Sequence, residues 1–344
     1  MPTHTAPEIL FLQQEDVVLA GATDMAKALR EVEQALTMTG RGDVIQPAKT
    51  VLEFPDPESG QRRYLAVSMP AHLGEPVHRT GIKWAAESLD NVQRGDLPYG
   101  IDLIILHDLQ RACPVAIMDG TIITAVRTGA AAGVAARHLA RPDSRTAAFI
   151  GAGVIGRTAL EAIALALPGL QELRLFDLNR AKAEALAAEF AGRWPVNVVQ
   201  SVEAAVTGAD VIATMTTTRT PFIQAGWLKP GCFVAAIGKN EFEAQALLDA
   251  DRLVVDNWEQ FKHYPAAMLT RLYQEGKIAD RDITNLPDIL VGRVPGRQSP
   301  EERIHFLSFG LACEDLIIAE RVYRQAVALD LGQKLSLWKK PLWM

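Results

Sequence analysis

From Arg145 to Asp256 the chain alternates short apolar runs with helix-like segments, and no other feature restricts its fold as tightly. AAFIGAG reads as a strand ending in glycines, GVIGRTALEAIALALP as a helix, LQELRLFDL as a strand and NRAKAEALAAEFAGRW as a helix. NVVQS, VEAAVTGA, DVIATMT, KPGCFVAAIG and DADRLVVD continue the alternation. Sustained over roughly 110 residues, this pattern predicts a parallel sheet with helices on both faces.

The first turn of that segment carries Gly151, Gly153 and Gly156 in FIGAGVIG, with Asp177 standing 21 residues after Gly156 at the end of the next strand. A glycine-rich strand–helix turn also arises for structural reasons alone. The strand before it, the helix after it and the carboxylate beyond raise the ligand reading, because together they form the dinucleotide fingerprint. Gly151 suits the tight turn, Gly153 a close approach of backbone to pyrophosphate, and Gly156 close packing of the helix. The N–H groups at the helix start, at Val154 and Ile155, then point toward phosphate. Asp177 suits ribose hydroxyls and repels a 2′-phosphate, which favours NAD over NADP, although Arg180 softens the preference. Thr214 and Thr216, in TMTTT at the end of a later strand, sit where open sheets bind ligands and are expected to border the nicotinamide.

The region before Arg145 differs in character. EILFL reads as a strand, and Ala28, Val32, Ala35 and Leu36 share a helical face, with Asp24 as N-cap and Gly40 as stop. TVLEF, RYLAVSMPA, TGIKWAA, GIDLIILHD and CPVAIMDG are β-like and separated by turns such as PDPESG and GEP, which predicts a mostly antiparallel meander. TIITAVRTGAAAGVAARHLA should form a close-packed helix, and FGLACEDLIIAERVYRQAVAL an amphipathic one. NWEQFKHYPAAMLTRLYQEGKI looks helical, and TNLPDILVGRVPGR reads as loop with a short strand. At 344 residues the chain should hold two domains. The simplest arrangement is residues 1–128 and 312–344 in one, interrupted by 129–311.

A net charge of −6 with no basic run argues against nucleic acid and anionic membrane as partners. No stretch is apolar for long enough to span a bilayer, and the N-terminus lacks the pattern of a secretory leader. Cys113, Cys232 and Cys313 lack paired spacing, so reduced, buried thiols and a cytoplasmic setting are expected. The seven histidines show no ligand spacing, so no metal is expected, and His107 and His138 read as ordinary polar residues near element ends.

Three cations stand in β-rich or helical context: Lys49 in IQPAKT, Lys83 in TGIKWAA and Arg127 in TAVRTG. An ammonium inside an apolar strand needs an anion, and the guanidinium fork suits a carboxylate held by two bonds. That anion is either a ligand or a protein acid such as Asp119 or Glu87. Spacing alone does not choose.

GIKW, MDGTIITAVRTGAAAGVAARHLA, FIGAGVIG, ADVIATMTTTRTPFI and GLACEDLIIAERVY, in this order, resemble the ornithine cyclodeaminase and mu-crystallin family from about Glu8 to Leu335. Within it, IQPAKT, DPESG, LVVDNWEQ, QEGKI and VPGR are most similar to the N-(2-amino-2-carboxyethyl)-L-glutamate dehydrogenases of 2,3-diaminopropionate and siderophore biosynthesis. The resemblance implies an α/β fold in which a Rossmann-type NAD-binding domain is inserted in an α+β domain for substrate binding and homodimerisation. It implies that Lys83 and Arg127 bind a substrate carboxylate and that Lys49 fills a third cationic position.

Cyclodeaminases of the family carry an aspartate after the strand matching FVAAIG, whereas this chain has IGKNEFEAQ with Asn240 at the aligned position. An amide cannot take a proton at neutral pH, so net hydride transfer at a C–N bond is expected instead of cyclisation. Glu241, or Glu243 with a different loop placement, could supply the lost carboxylate. Glu241 is the candidate base, with Lys83 second. A substrate with three carboxylates needs further cations, and Arg62, Arg63, Arg79, Arg293 and Arg297 are available near loops. The rivals are a ketimine or imine reductase, a cyclodeaminase, and a non-catalytic binder of nucleotide and small ligand.

Overall fold

The computed structural model describes residues 7–56, 62–264 and 266–339. Within the PDPESG turn only Pro55 and Asp56 fall in that range, and the side chain of Arg62 falls outside it. The chain forms two compact units: residues 1–24, 41–127 and 311–344, and residues 25–40 with 128–310. Met25–Gly40, expected in the first domain, thus groups with the second unit. Two close approaches explain this. Gly133 lies against the Leu29 side chain, and a Cβ at Gly40 would overlap the Pro287 carbonyl. Gly40 is therefore a buried packing position inside the helix Met25–Arg41 and not its stop.

The first unit is built on an eight-stranded sheet. Its order runs Gln333–Ser336, Glu8–Leu12, Cys113–Asp119, Gly100–Asp108, Arg79–Ser88, Arg62–Leu73 and Val44–Ile45, with Thr50–Pro55 also on Arg62–Leu73. Neighbours are antiparallel except Glu8–Leu12 on Cys113–Asp119. The period of two sends alternate residues to opposite faces. Lys83, Ile104, Met69 and Asp102 point inward and are buried, while Trp84 and its cross-strand partner Leu103 point outward and are exposed. The helix Ala312–Ala328 packs on the strands Arg62–Leu73, Arg79–Ser88 and Gly100–Asp108.

The second unit carries a fully parallel sheet in the order Val196–Val198, Glu172–Phe176, Thr146–Ile150, Val211–Thr214, Phe233–Ala236, Ile304–Leu307, Arg252–Val255 and Ile283–Asn285. The predicted alternation is thus a doubly wound sheet. One strand, IHFL at 304–307, is absent from the sequence expectation and inserts between two strands that precede it in the chain. NWEQFKHYPAAMLTRLYQEGKI forms two short helices, Trp258–Phe261 and Met268–Gln274. The helices Thr121–Leu139 and Val154–Ala166 meet backbone to backbone. A Cβ at Gly129 would overlap Thr158, and one at Gly133 would lie 2.9 Å from the Ala162 carbonyl oxygen. No helix among the described residues is long and apolar enough to cross a membrane. Cys232 and Cys313 are buried, and Cys113 is partly exposed.

His305, on the inserted strand, is fully buried with its ring edge-on to Phe242, and neither ring nitrogen has a hydrogen-bond partner. Burial drives its pKa from the ordinary 6.5 down to about 3. The folded protein therefore keeps this imidazole neutral where the unfolded chain protonates it, so stability falls as pH drops from about 6.5 toward 3 and is unaffected above that window. Urea midpoints measured between pH 7 and pH 4 should show this loss. In His305→Leu the slope over the same range should be shallower; an unchanged slope refutes the assignment.

Candidate functional site

The glycine turn is built by the strand Thr146–Ile150, which ends at Gly151 with φ +113°, a value that favours glycine. A Cβ there would lie 2.8 Å from the Met215 carbonyl oxygen. At Gly156 a Cβ would overlap the Gly151 carbonyl, so this glycine permits the helix to close on its own entry turn. Gly153 is different: nothing lies within 4 Å of a Cβ placed there. The protein itself has no steric need for glycine at 153, whereas a ligand laid on the turn does. Val154 and Ile155 open the 13-residue helix Val154–Ala166 behind it, where the first N–H groups lack intrahelical acceptors.

Asp177 follows the next strand, and its carboxylate accepts from the Ala152 N–H at 2.8 Å and the Asn179 N–H at 2.7 Å. It is thereby locked against the glycine turn with lone pairs remaining on both oxygens. Arg180 is engaged elsewhere, with Nε donating to Glu184 at 2.8 Å. Thr214 ends its strand fully buried, its hydroxyl without a partner.

Two residues on, Thr216 donates from both backbone N–H and hydroxyl to Oε1 of Glu241, each at 3.0 Å. Glu241 is buried, and its Oε2 has no partner. Burial pushes its pKa up, and the Thr216 bonds offset this only in part. The carboxyl folds back over Gly238, where any Cβ would overlap it. Beside it, Asn240 Oδ1 accepts from Arg271 Nη2 at 2.9 Å. Glu243 instead caps the short helix Ala244–Leu248.

In the first unit the structure decides what Lys83 and Arg127 pair with, and the partners are neither Asp119 nor Glu87. Lys83 Nζ donates to Asp315 at 3.0 Å and to the Thr124 hydroxyl at 3.2 Å, with Asp102 at 3.8 Å. Arg127 donates from Nε to Asp315 at 3.1 Å and from Nη1 to Glu314 at 3.2 Å. Its Nη2 amino group has no protein acceptor among the described residues. Asp119 serves the start of the helix Thr121–Leu139 through the Ile122 N–H, and Glu87 accepts from the Tyr99 hydroxyl. Burial opposes the charges of Asp102, Arg127 and Asp315. Arg127 and Lys83 nevertheless hold Asp315 below the usual carboxylate range, and Asp315 with Glu314 pushes Arg127 upward. Asp102, reached by a short hydrogen bond from Thr124, is raised by burial that Lys83 does not fully offset.

Lys49 is partly buried in the segment whose Gln46 accepts from the Cys313 N–H at 3.4 Å, one residue before Glu314. The additional arginines are occupied. Arg63 pairs with Asp90, Arg79 with Glu320 and Arg293 with Asp288, while Arg297 donates to backbone carbonyls. His138 contacts Glu33, and the His107 carbonyl accepts from Arg79. Among the described residues no group of His, Cys, Asp or Glu could hold a metal.

Asp102, Glu314 and Asp315 are absent from the sequence expectation, although a signal for each exists. Asp102 shares strand parity with the buried Ile104 and Leu106, and the two acids interrupt the apolar face of the last helix.

Residues 8–329 match the family model described as ornithine cyclodeaminase/mu-crystallin family. The chain belongs to this family. One ornithine cyclodeaminase/mu-crystallin relative, N-((2S)-2-amino-2-carboxyethyl)-L-glutamate dehydrogenase of Staphylococcus aureus, is 29% identical over 96% of this chain and 99% of its own. An archaeal alanine dehydrogenase dimer with bound NAD superposes with a TM-score of 0.86 at 31% identity, over 96% of this chain and 100% of its own. Thermococcus litoralis Δ1-pyrroline-2-carboxylate reductase in complex with NADH and L-proline gives 0.86 at 30% identity, over 95% and 100%.

The unequal surroundings of the glycines give a direct test. Gly156→Ala should lose about 1–3 kcal/mol of stability through overlap, while Gly153→Ala should change it by less than about 0.5 kcal/mol. Urea denaturation of the two variants measures both. Equal losses would show that Gly153 is needed by the fold itself.

Proposed function

We propose that this chain is an NAD-dependent oxidoreductase acting on the C–N bond of an amino-acid-derived secondary amine or its imine. In the proposed reaction the α-carbon of N-(2-amino-2-carboxyethyl)-L-glutamate gives its hydride to NAD+, the amine nitrogen loses a proton, and water hydrolyses the resulting imine to 2,3-diaminopropionate and 2-oxoglutarate, in the cytoplasm, in support of siderophore assembly. The observation that carries this reading is Arg127. It is buried, oriented by two carboxylates, and keeps an Nη2 amino group that finds no acceptor among the described residues.

Lys83 and Arg127 are proposed to hold the α-carboxylate of the substrate, with Lys49 as a third cation. Fixing that carboxylate fixes the α-carbon, and such positioning removes several kcal/mol of barrier. Glu241 is the proposed proton acceptor for the amine nitrogen, through the Oε2 that nothing else engages. Its raised pKa brings it toward the operating pH, where a general base is most effective. Lys83 is the alternative base. Gly151, Gly153, Gly156, the N–H groups of Val154 and Ile155, Asp177, Thr214 and Thr216 would hold NAD, which supplies the hydride acceptor when bound. The open position at Gly153 and the anchored Asp177 support this fit. Engagement of Arg180 by Glu184 supports NAD over NADP.

A homodimer is part of the proposal. The outward face of the first sheet exposes Trp84 (43%), Ile101 (44%) and Leu103 (39%) together, an apolar patch of the kind that marks an interface. Free cysteines suit a reducing compartment. A second reading, a substrate with a single carboxylate, is favoured by the 31% identity to the alanine dehydrogenase.

NADH absorbance followed with N-(2-amino-2-carboxyethyl)-L-glutamate, L-alanine and L-ornithine separates these readings. NADH formed from the first supports the proposal, from alanine alone the second reading, and proline formed from ornithine without NADH refutes both. Glu241→Gln should lower kcat about 100- to 10,000-fold, and Gly153→Ala should weaken NADH binding seen by fluorescence. In light scattering the protein should be a dimer and Trp84→Glu a monomer; a monomeric parent protein disproves the interface.

A further inference from the structure

Resting on the proposed reaction, a second question is how the protein would recognise acidic groups beyond the α-carboxylate. The described arginines expected for that task are engaged by protein acceptors, as shown above. Arg271 is not. It sits on the helix Met268–Gln274, half-buried, and its hydrogen bonds are those from Nη2 to the Asn240 carbonyl oxygen at 2.9 Å and to Met268 Sδ at 3.7 Å. Among the described residues it has no carboxylate partner, in contrast to the part-buried Arg79, Arg174, Arg252 and Lys229.

The setting is built. The Met268 N–H donates to the Lys239 carbonyl at 3.1 Å, which ties the first turn of this helix to the loop that carries Asn240 and Glu241. That loop leaves the C-terminal end of the strand Phe233–Ala236, the edge where ligands of open parallel sheets bind. Lys239, one residue from Asn240, lies over the Tyr264 and Phe309 rings at 6.0 and 5.8 Å and donates to the Ser308 carbonyl. Arg271 thus faces an amide at 240 and not an acid, while the charge of Lys239 acts on Glu241. A carboxylate at 240 would pair with Arg271 and neutralise it. The amide orients the guanidinium through one Nη2 hydrogen; Nε, Nη1 and the second Nη2 hydrogen, which meets only the weak thioether acceptor of Met268, remain for an incoming planar anion that displaces the thioether.

We propose that Arg271, oriented by Asn240, binds a second carboxylate of the substrate, remote from the reacting carbon, and so selects polycarboxylate amino acids over those with a single carboxylate. The fork of the guanidinium matches a carboxylate by two parallel bonds. A neutral or one-carboxylate substrate leaves those donors unpaired, which is the basis of the discrimination.

The test compares the parent protein, supplied with NAD+ for turnover, with Arg271→Gln, Arg271→Lys and Asn240→Asp. The readout is kcat/KM for N-(2-amino-2-carboxyethyl)-L-glutamate divided by that for L-alanine, together with calorimetric binding of the same triacid. Loss of one charged hydrogen-bonding partner should lower the ratio about 10- to 100-fold in Arg271→Gln, chiefly through KM. Arg271→Lys should recover part of it, and Asn240→Asp should lower it as Arg271→Gln does. An unchanged ratio and unchanged triacid binding in Arg271→Gln overturn the inference, as does an equal loss for both substrates. If the triacid binds but is not turned over, and Arg271→Gln weakens that binding, the subsite stands and the proposed reaction falls. If the parent protein binds the triacid no better than alanine, the subsite falls.

Discussion

The carboxylate of Asp315 is shared between Lys83 and Arg127, and the first unit is organised around that sharing. The three side chains come from a strand, from the helix that leaves the sheet and from the last helix, and all three are buried. A buried ion pair is a poor source of stability, since desolvation consumes most of the Coulomb gain. Removing one partner is costly, about 3–5 kcal/mol, because it strands the remaining charge. Among the described residues Arg127 Nη2 has no protein acceptor. The shared carboxylate fixes the orientation of both cations within the first unit.

The second unit uses carboxyl groups in two contrasting ways. Asp177 is held in place by two backbone N–H groups, one on each oxygen. Glu241 is buried with both local bonds on one oxygen, and desolvation works against its charge. Thr216, two residues past the strand, and the glycine at 238 produce that arrangement, one by donating twice to the same oxygen and the other by leaving room for the carboxyl above the backbone. Two carboxyl groups are thus placed in contrasting surroundings, one with each oxygen held by a backbone N–H and one with an oxygen left without a partner.

Local signals carried much of this. Periodicity located the parallel sheet and the meander, since strand parity and helical faces are properties of neighbouring residues. The glycines and Asp177 were legible because their spacing is itself the turn geometry. Lys83 stood out as a charge in an apolar strand. Other features were not legible. IHFL is too short to distinguish from a loop, yet it lies between strands Phe233–Ala236 and Arg252–Val255 because parallel pairing ignores chain order. Helix Met25–Arg41 has an ordinary amphipathic pattern, and nothing in it names the surface it covers. Gly40 reads equally well as a stop or as a contact.

The sequence by itself determined that a glycine turn of dinucleotide type opens a helix here, that cations enter an apolar sheet and an alanine-rich helix, and that position 240 holds an amide. These follow from covalent identity and from interactions a few residues long. Only the tertiary structure decided that Asp315 neutralises Lys83 from 232 positions away and Arg127 from 188, and that Arg271 meets Asn240 across 31. Pairing over such separations depends on how whole elements pack, because the field of a charge acts through space, while a sequence records only order along the chain.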